Sequence, residues 1–141
     1  MKPFYVYVFL FALIIASCTK DGASLLTNST IIRVDDALFT DAPDDAFEIS
    51  QASIENDRLD LTILYGGGCS TIAYDLVAPT DVDETTNPIE RVVRLAFFDE
   101  DNCEALIELM LSFDITPLQT STADSLQINL EGWNVPLIYQ Y

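Results

Sequence analysis

The chain has 141 residues, with 23 acidic and six basic side chains and no histidine, so its formal net charge is −17. This charge excludes nucleic-acid binding, because phosphate contacts need lysine and arginine. The lack of histidine excludes Cys/His zinc sites and catalysis of the Cys-His or Ser-His-Asp type, so we do not expect an enzyme. The acidity would attract a cationic protein or a divalent metal, or it only keeps an exported protein soluble.

The first residues have the form of an export signal. Lys2 is followed by an apolar run from Phe4 to Ala16, and Ile15-Ala16-Ser17-Cys18 ends the run. A basic start and about 7–15 apolar residues are typical of a secretory signal, whereas a membrane-spanning helix needs about 20. The last four residues resemble the lipobox of bacterial lipoproteins. The alternative is an ordinary signal peptide with an incidental cysteine.

The resemblance to lipoproteins implies that residues 1–17 are cleaved and that Cys18 is acylated. Two or more acyl chains anchor a protein stably, and an anionic lipid surface would repel so acidic a domain. We therefore expect a lipid-anchored protein of the cell envelope, in the outer membrane, facing the periplasm or the outside. Lys20-Asp21 weakly resembles the tags that send such lipoproteins to the cell surface.

Residues 18–44 show no sustained hydrophobic period, which predicts a lipidated N-terminus and a flexible tether. Within it, Ile31-Ile32-Arg33-Val34 is either a short first strand or part of the tether. Asp41-Ala42-Pro43-Asp44-Asp45 is rich in turn-forming residues. We therefore predict that the folded domain covers residues 45–141.

Alternating apolar residues predict strands through this domain. Residues 47–54 and 59–65 predict a hairpin, with a bulge where the phase slips at Gln51. Further strands are predicted around residues 72–76, 93–97, 107–115, 126–130 and 135–141, the last at a sheet edge because it holds Pro136. Residues 105–111 suit a helix by propensity, but one apolar phase from Ile107 to Ile115 favours a strand. About seven strands predict an all-β, antiparallel, immunoglobulin-like β-sandwich.

Tyr65-Gly66-Gly67-Gly68-Cys69 lies between two of the predicted strands. Three glycines are costly to order, so we expect the backbone there to need room or unusual dihedral angles. With Cys18 acylated, Cys69 and Cys103 are the remaining pair, and an oxidising compartment favours a disulfide between them. Closing a loop of about 35 residues stabilises by roughly 3–4 kcal/mol.

Three segments resemble uncharacterised lipoproteins of Bacteroidota-type bacteria: Tyr65–Cys69, Cys103-Glu104-Ala105 and Leu111–Leu118. The resemblance covers roughly residues 47–141. It implies the paired cysteines and an all-β fold, and it carries no activity. This chain has Ile72 and Tyr74 where the family pattern has histidine and phenylalanine.

Two acidic loops are the candidates for binding Ca²⁺. One holds Asp99 and Asp101, and the other holds Asp81, Asp83 and Glu84. Their carboxylates could share an ion if both loops lie at one end of the sandwich. For the loop with Asp99 and Asp101, the alternative is a solvated hairpin turn next to a disulfide, since the glycine and distal glutamate of an EF-hand loop are missing there.

Three aromatic residues near the C-terminus, Trp133, Tyr139 and Tyr141, could form a strip that binds sugar or peptide. The alternation of the strand places them more simply in the core. Taken together, the sequence predicts a lipid-anchored, non-enzymatic module that binds a partner through loops or supports the envelope. The alternative is an acidic inhibitor of a basic enzyme such as a lysozyme or a protease.

Overall fold

The structure is a computed structural model, and it describes residues 25–101 and 103–141. The described chain contains the following elements: β1 (Arg33–Val34), α1 (Asp36–Asp41), β2 (Phe47–Glu55), β3 (Arg58–Gly67), β4 (Ile72–Ala78), β5 (Ile89–Asp99), β6 (Ala105–Asp114), a 3₁₀ turn (Thr116–Leu118), β7 (Ser125–Leu130) and β8 (Leu137–Gln140). No helix in these two ranges has the length and apolar character needed to span a membrane.

The strands form two sheets that enclose one core. The five-stranded sheet has the order β1-β4-β5-β7-β8, and the three-stranded sheet has the order β2-β3-β6. Alternate residues of β3, such as Leu59 and Ile63, are fully buried against residues of the opposite sheet such as Phe97. The Phe97 ring also meets the rings of Phe47 and Tyr65 edge-on, with centroids 5.5 and 5.1 Å away. These features confirm the predicted all-β, sandwich-like fold.

Two strand pairs correct the prediction of a wholly antiparallel, immunoglobulin-like arrangement. β1 runs parallel to β4, and β5 runs parallel to β7, with Ile89 opposite Leu126. Alternation in a sequence reports which face of a sheet each side chain occupies and is the same for both strand directions. The pattern could therefore locate β7 but could not give its direction.

The β2–β3 hairpin forms as predicted. Glu55 pairs with Arg58, and the turn between them places Asn56 at φ +53°, in the left-handed region that asparagine tolerates. The register shifts between Ile49 and Gln51, so the predicted bulge is confirmed. β8, which follows Pro136, lies at the edge of the five-stranded sheet, as we also predicted.

The predicted tether is corrected, because residues 25–44 pack against the sheets. Leu26, Ile32 and Leu38 are buried, and β1 extends the five-stranded sheet. The N–H of Ile32 donates to the carbonyl of Asp114 at 2.9 Å, so the same segment also touches β6 of the other sheet. The segment lacks a period because neighbouring residues contact different sheets. The fold thus begins well before residue 45.

A buried carboxylate fixes this N-terminal segment. Asp75 of β4 is fully buried and accepts hydrogen bonds from the backbone N–H groups of Thr27 (2.9 Å) and Ser29 (2.7 Å). Arg33 of β1 completes the set with a salt bridge of 2.7 Å. Burying a carboxylate is costly unless it is paired and hydrogen-bonded, so Asp75 and these partners hold one another in place.

Candidate interaction surface

The disulfide ties together two of the links through which the chain passes from one sheet to the other. Cys69 lies between β3 and β4, and Cys103 lies between β5 and β6. The two residues are bonded, with their Cα atoms 6.0 Å apart. Both links lead from one sheet to the other, so the bond joins the sheets at one end of the molecule. The predicted cysteine pair is confirmed.

Asp101 anchors both sides of this bond. Its Oδ2 accepts from the backbone N–H groups of Cys69 (2.7 Å) and Ser70 (3.0 Å), and its Oδ1 accepts from that of Cys103 (2.8 Å). These donors, that of Cys69 above all, hold the pKa of Asp101 below its usual value against the opposing effect of desolvation. The Asp101 carboxylate is therefore committed to the backbone of the disulfide turn.

The three glycines before Cys69 have three different environments. A Cβ atom at Gly67 would lie 2.7 Å from Oδ2 of Asp99 and 2.8 Å from the ring of Tyr65. Gly68 has φ +106°, which other residues rarely adopt. The predicted need for room therefore applies at Gly67, and the predicted need for an unusual dihedral angle applies at Gly68. A Cβ atom at Gly66 would meet nothing within 4 Å.

The two acidic loops do not form a shared Ca²⁺ site. Asp83 forms a bridge to Glu90 at the start of β5, whereas Asp99 is the last residue of that strand. Nine residues of extended chain separate these points by about 30 Å, so Asp81, Asp83 and Glu84 lie far from Asp99 and Asp101. Residues 25–101 and 103–141 hold no group of three His, Cys, Asp or Glu side chains placed to bind a metal ion. The predicted convergence was wrong because one loop lies before the start of β5 and the other lies at its end.

An open, acidic cleft of about 550 Å³ lies beside the end of β5. Its lining contains Asp41, Pro43, Asp44, Asp45, Phe98, Asp99 and Glu100. The carboxylate of Asp45 accepts from the N–H of Asp99 at 2.9 Å, which holds the two segments together. Burial first, and then the charges of Asp99 and Asp101, raise the pKa of nearby Tyr65. Negative potential is therefore concentrated at this end of the molecule.

The four arginines of the described chain are too few to offset this potential. Arg33 pairs with Asp75, which is the one salt bridge that residues 25–101 and 103–141 contain. Arg58 donates to the hydroxyl of Ser112 at 2.7 Å, and Arg94 donates to the carbonyl of Ala42 at 2.8 Å. Arg91 is buried, and burial lowers its pKa. The surface is left with an excess of carboxylates.

The three aromatic residues near the C-terminus belong to the interior. Tyr139 is fully buried, its hydroxyl donates to Asp57 at 2.6 Å, and burial followed by this hydrogen bond raises its pKa to about 12. Tyr141 is half-buried with its ring centroid 5.0 Å from that of Tyr139, and Trp133 packs against the same core. The interpretation of these residues as core is confirmed.

Two exposed apolar residues were missed in the sequence. Leu106 and Met110 of β6 are 75% and 79% exposed. They occupy the same phase of the strand as Glu108 and Ser112, on the face opposite the predicted apolar phase from Ile107 to Ile115. The sequence did hold one sign of this exposure, because these two apolar residues alternate with polar residues on the polar face of the strand. Cys18 and Lys20-Asp21, which support the predicted anchor, lie outside the described residues.

No protein-family model matches the sequence, and no curated protein matches it. Three solved structures share the fold. They are a protein of unknown function, DUF1344, from Bacteroides vulgatus (14% identity, TM-score 0.55), a NigD-like immunity protein from Bacteroides caccae (14%, 0.57) and a toxin-related protein from Parabacteroides distasonis (15%, 0.53).

The alignments cover 79% of this chain and 55%, 58% and 58% of the three structures, in the same order. The chain thus spans less than two thirds of the length of each structure that it matches. At 14–15% identity the likeness establishes the fold alone.

Proposed function

We propose that this chain is an exported, lipid-anchored and non-enzymatic module that binds a cationic protein. The observation that carries the proposal is the imbalance of charge: the formal net charge is −17, and one salt bridge is present among the residues that the structure describes. An unbalanced surface of one sign attracts proteins of the opposite sign and speeds their association. The acidic cleft at the end of β5 lies within this surface.

Four carboxyl groups have pKa shifts that suit binding better than general acid catalysis. Asp36, Asp83, Asp101 and Asp114 all have a pKa held below its usual value by hydrogen bonds, for Asp83 chiefly that of the Thr85 hydroxyl. A general acid that works near neutral pH needs its pKa raised towards 7. These four groups are shifted in the opposite direction.

The anchor in this proposal is Cys18, acylated after removal of residues 1–17 and holding the protein in the outer membrane. The support is the lipobox-like Ile15-Ala16-Ser17-Cys18. Growth with a clickable palmitate analogue tests the anchor, with Cys18→Ser as the matched control. We expect label on the natural protein and none on the variant, and label on neither would contradict the anchor.

A narrower candidate is an acidic inhibitor of a basic enzyme, such as a lysozyme or a protease. It is favoured by one structural neighbour, which is described as a NigD-like immunity protein, and by a second described as toxin-related. An immunity-like role needs tight binding of one partner and no chemistry, which a disulfide-linked acidic sandwich can provide.

Titration calorimetry of the full-length protein in detergent, against a basic lysozyme and a basic protease, tests the proposed function. We expect binding at about 0.02 M salt that weakens steeply at about 0.5 M, because salt screens exposed charges. A cationic protein that binds without loss of its activity would favour the general binding role over inhibition. Absence of binding to both probes at low salt would contradict the proposal.

A further inference from the structure

β6 forms one edge of the three-stranded sheet, and most of its outer side has no partner in the described chain. On its inner side it pairs with β3 without interruption, from Ala105 opposite Gly67 to Asp114 opposite Arg58. On its outer side only Asp114 is covered, because it exchanges hydrogen bonds with Thr30 (2.8 Å) and Ile32 (2.9 Å). We call the outer side of residues 105–112 the free edge.

The covered end shows which backbone groups the free edge presents. Both the N–H and the C=O of Asp114 point outward, to residues 30–32. In an antiparallel pair, inward and outward hydrogen-bonding residues alternate. Since the β3–β6 register has no bulge, the outward groups are those of Leu106, Glu108, Met110 and Ser112. They form a row about 20 Å long that could pair with one more strand.

The side chains along the free edge combine apolar contact with negative charge. Leu106 and Met110 are largely exposed on the outer face of the sheet, where Leu106 lies opposite Gly66. The open space above Gly66 leaves room beside Leu106 for another side chain. Glu108 alternates with the two apolar residues, and Glu104 precedes the strand. An extended segment would complement this pattern if the residues on its outer face, which are every second residue, alternated between apolar and basic.

We infer that the free edge of β6 is where the cationic partner binds, by adding an extended, basic segment to the three-stranded sheet. This inference rests on the proposed function and assigns it a surface. Backbone hydrogen bonds would provide the affinity of such an added strand, and alternate side chains would provide its specificity. Apolar residues of the segment would lie beside Leu106 and Met110, and its basic residues would lie near Glu104 and Glu108.

A second copy of the chain fits the free edge less well. Two molecules of formal charge −17 repel each other, and pairing their β6 strands would bring the Glu104 and Glu108 side chains of both copies together. The same carboxylates attract a basic segment. Charge therefore selects a cationic partner over self-association.

The probe for this inference is a capped peptide of about nine residues, long enough to cover the free edge, with lysine and valine in turn at its odd positions and threonine at its even positions. Its affinity for the full-length protein in detergent would be measured by calorimetry at low salt. A matched peptide carries N-methyl groups on alternate backbone amides, which removes the donors that strand addition needs and keeps the charge. We expect binding of the first peptide and at least about a tenfold loss for the second.

Two protein variants place the same added charge on the two edges of the sheet. Met110→Lys changes the free edge, and Ser53→Lys changes an exposed residue of β2 on the opposite edge. A lysine on an edge strand disfavours further pairing, so we expect at least about a tenfold loss of peptide affinity for the first and less than about twofold for the second. Because both positions are exposed, equal thermal melting of the two variants checks that both fold.

Several results would overturn the inference. Among them are equal affinity of the peptide for both variants, equal binding of the N-methylated peptide, and a dimer of the natural protein that Met110→Lys dissociates in sedimentation. In the first two cases the cationic proteins still bind if the proposed function is correct, so a wrong surface and a wrong function are distinguishable. Failure of the unmethylated peptide to bind, with lysozyme binding intact, would likewise reject the edge alone.

Discussion

The two outer strands of the three-stranded sheet flank the same central strand, β3, and differ in almost every other respect. β2 carries a bulge at Ser50, and its exposed residues are polar, including Glu48, Ser53 and Glu55. β6 runs for ten residues in unbroken register and exposes Leu106 and Met110. Bulges and polar side chains discourage strands from pairing with foreign chains. The β2 edge of this sheet therefore carries a bulge that discourages further pairing, and the β6 edge does not.

The contrast indicates how an exposed edge strand of so acidic a protein is protected from pairing with other copies. A long, regular and partly apolar edge is a site for aggregation unless something opposes pairing. On β6 the opposing features are Glu104, Glu108 and the overall charge, which repel other copies and attract cations. Protection by charge is selective in a way that a bulge is not, because it leaves the edge open to a basic strand.

A second contrast lies within β6 itself. Its last residue, Asp114, is covered by residues 30–32, which Asp75 holds through Thr27, Ser29 and Arg33. The rest of the strand has no such cover within residues 25–101 and 103–141. The protein thus closes one end of this edge with its own chain.

The largest expected effect comes from opening the closed end. Asp75→Ala removes a buried carboxylate that accepts two backbone hydrogen bonds and a salt bridge. We expect a loss of about 3 kcal/mol in the free energy of unfolding, measured by urea denaturation. Hydrogen exchange should also show that the amide of Asp114 loses its protection. An Asp114 amide that stays protected would mean that residues 30–32 are held without Asp75, whereas the exposed Asp124→Ala should change neither quantity.

A smaller effect separates two neighbouring glycines at the end of β3. Gly67→Ala would push a methyl group against Asp99 and the Tyr65 ring, and we expect a loss of about 2 kcal/mol. Gly66→Ala meets open space and reduces the freedom of the unfolded chain, so we expect a gain of about 0.5 kcal/mol. Thermal melting of the two variants measures both, and equal loss of stability would show that Gly66 is also confined.

The smallest expected effect is a pH dependence at the disulfide turn next to β6. The pKa of Asp101 is lowered in the folded protein, so its contribution to stability is present above the unfolded pKa of about 3.8 and is lost as the pH falls through the folded value. Asp101→Asn should therefore melt below the natural protein at pH of about 6, and the difference should shrink at pH of about 3. Asp124→Asn makes the same change of charge at an exposed position as a control. A difference that is constant with pH would contradict this assignment.

Much of the fold could be predicted because side-chain alternation is a local property. It located the β2–β3 hairpin, the bulge near Gln51 and the strand from Ile107 to Ile115, and export chemistry pointed to the pair Cys69 and Cys103. Strand direction is not a local property, so the parallel pairing of β5 with β7 was missed. Residues 25–44 were missed for a related reason, since their partners, such as Asp75, are far away in the sequence.

The site was harder to predict than the fold. The abundance of carboxylates suggested an ion site from Asp83 and Asp99, whose positions at opposite ends of β5 depend on the topology. The free edge was overlooked because an edge is defined by the absence of a neighbouring strand, which a single strand's sequence does not report. The apolar residues Leu106 and Met110 within the polar phase were its one local sign.

Hydrogen exchange at single-residue resolution along β6 tests the central claim most directly. In the full-length, monomeric protein we expect two alternating classes of amide. The outward amides of Leu106, Glu108, Met110 and Ser112 should exchange rapidly, and the inward amides of Ile107, Leu109, Leu111 and Phe113 should be protected by β3. Uniform protection of residues 106–112 would contradict the account, because it would mean that the outer side of β6 is already occupied.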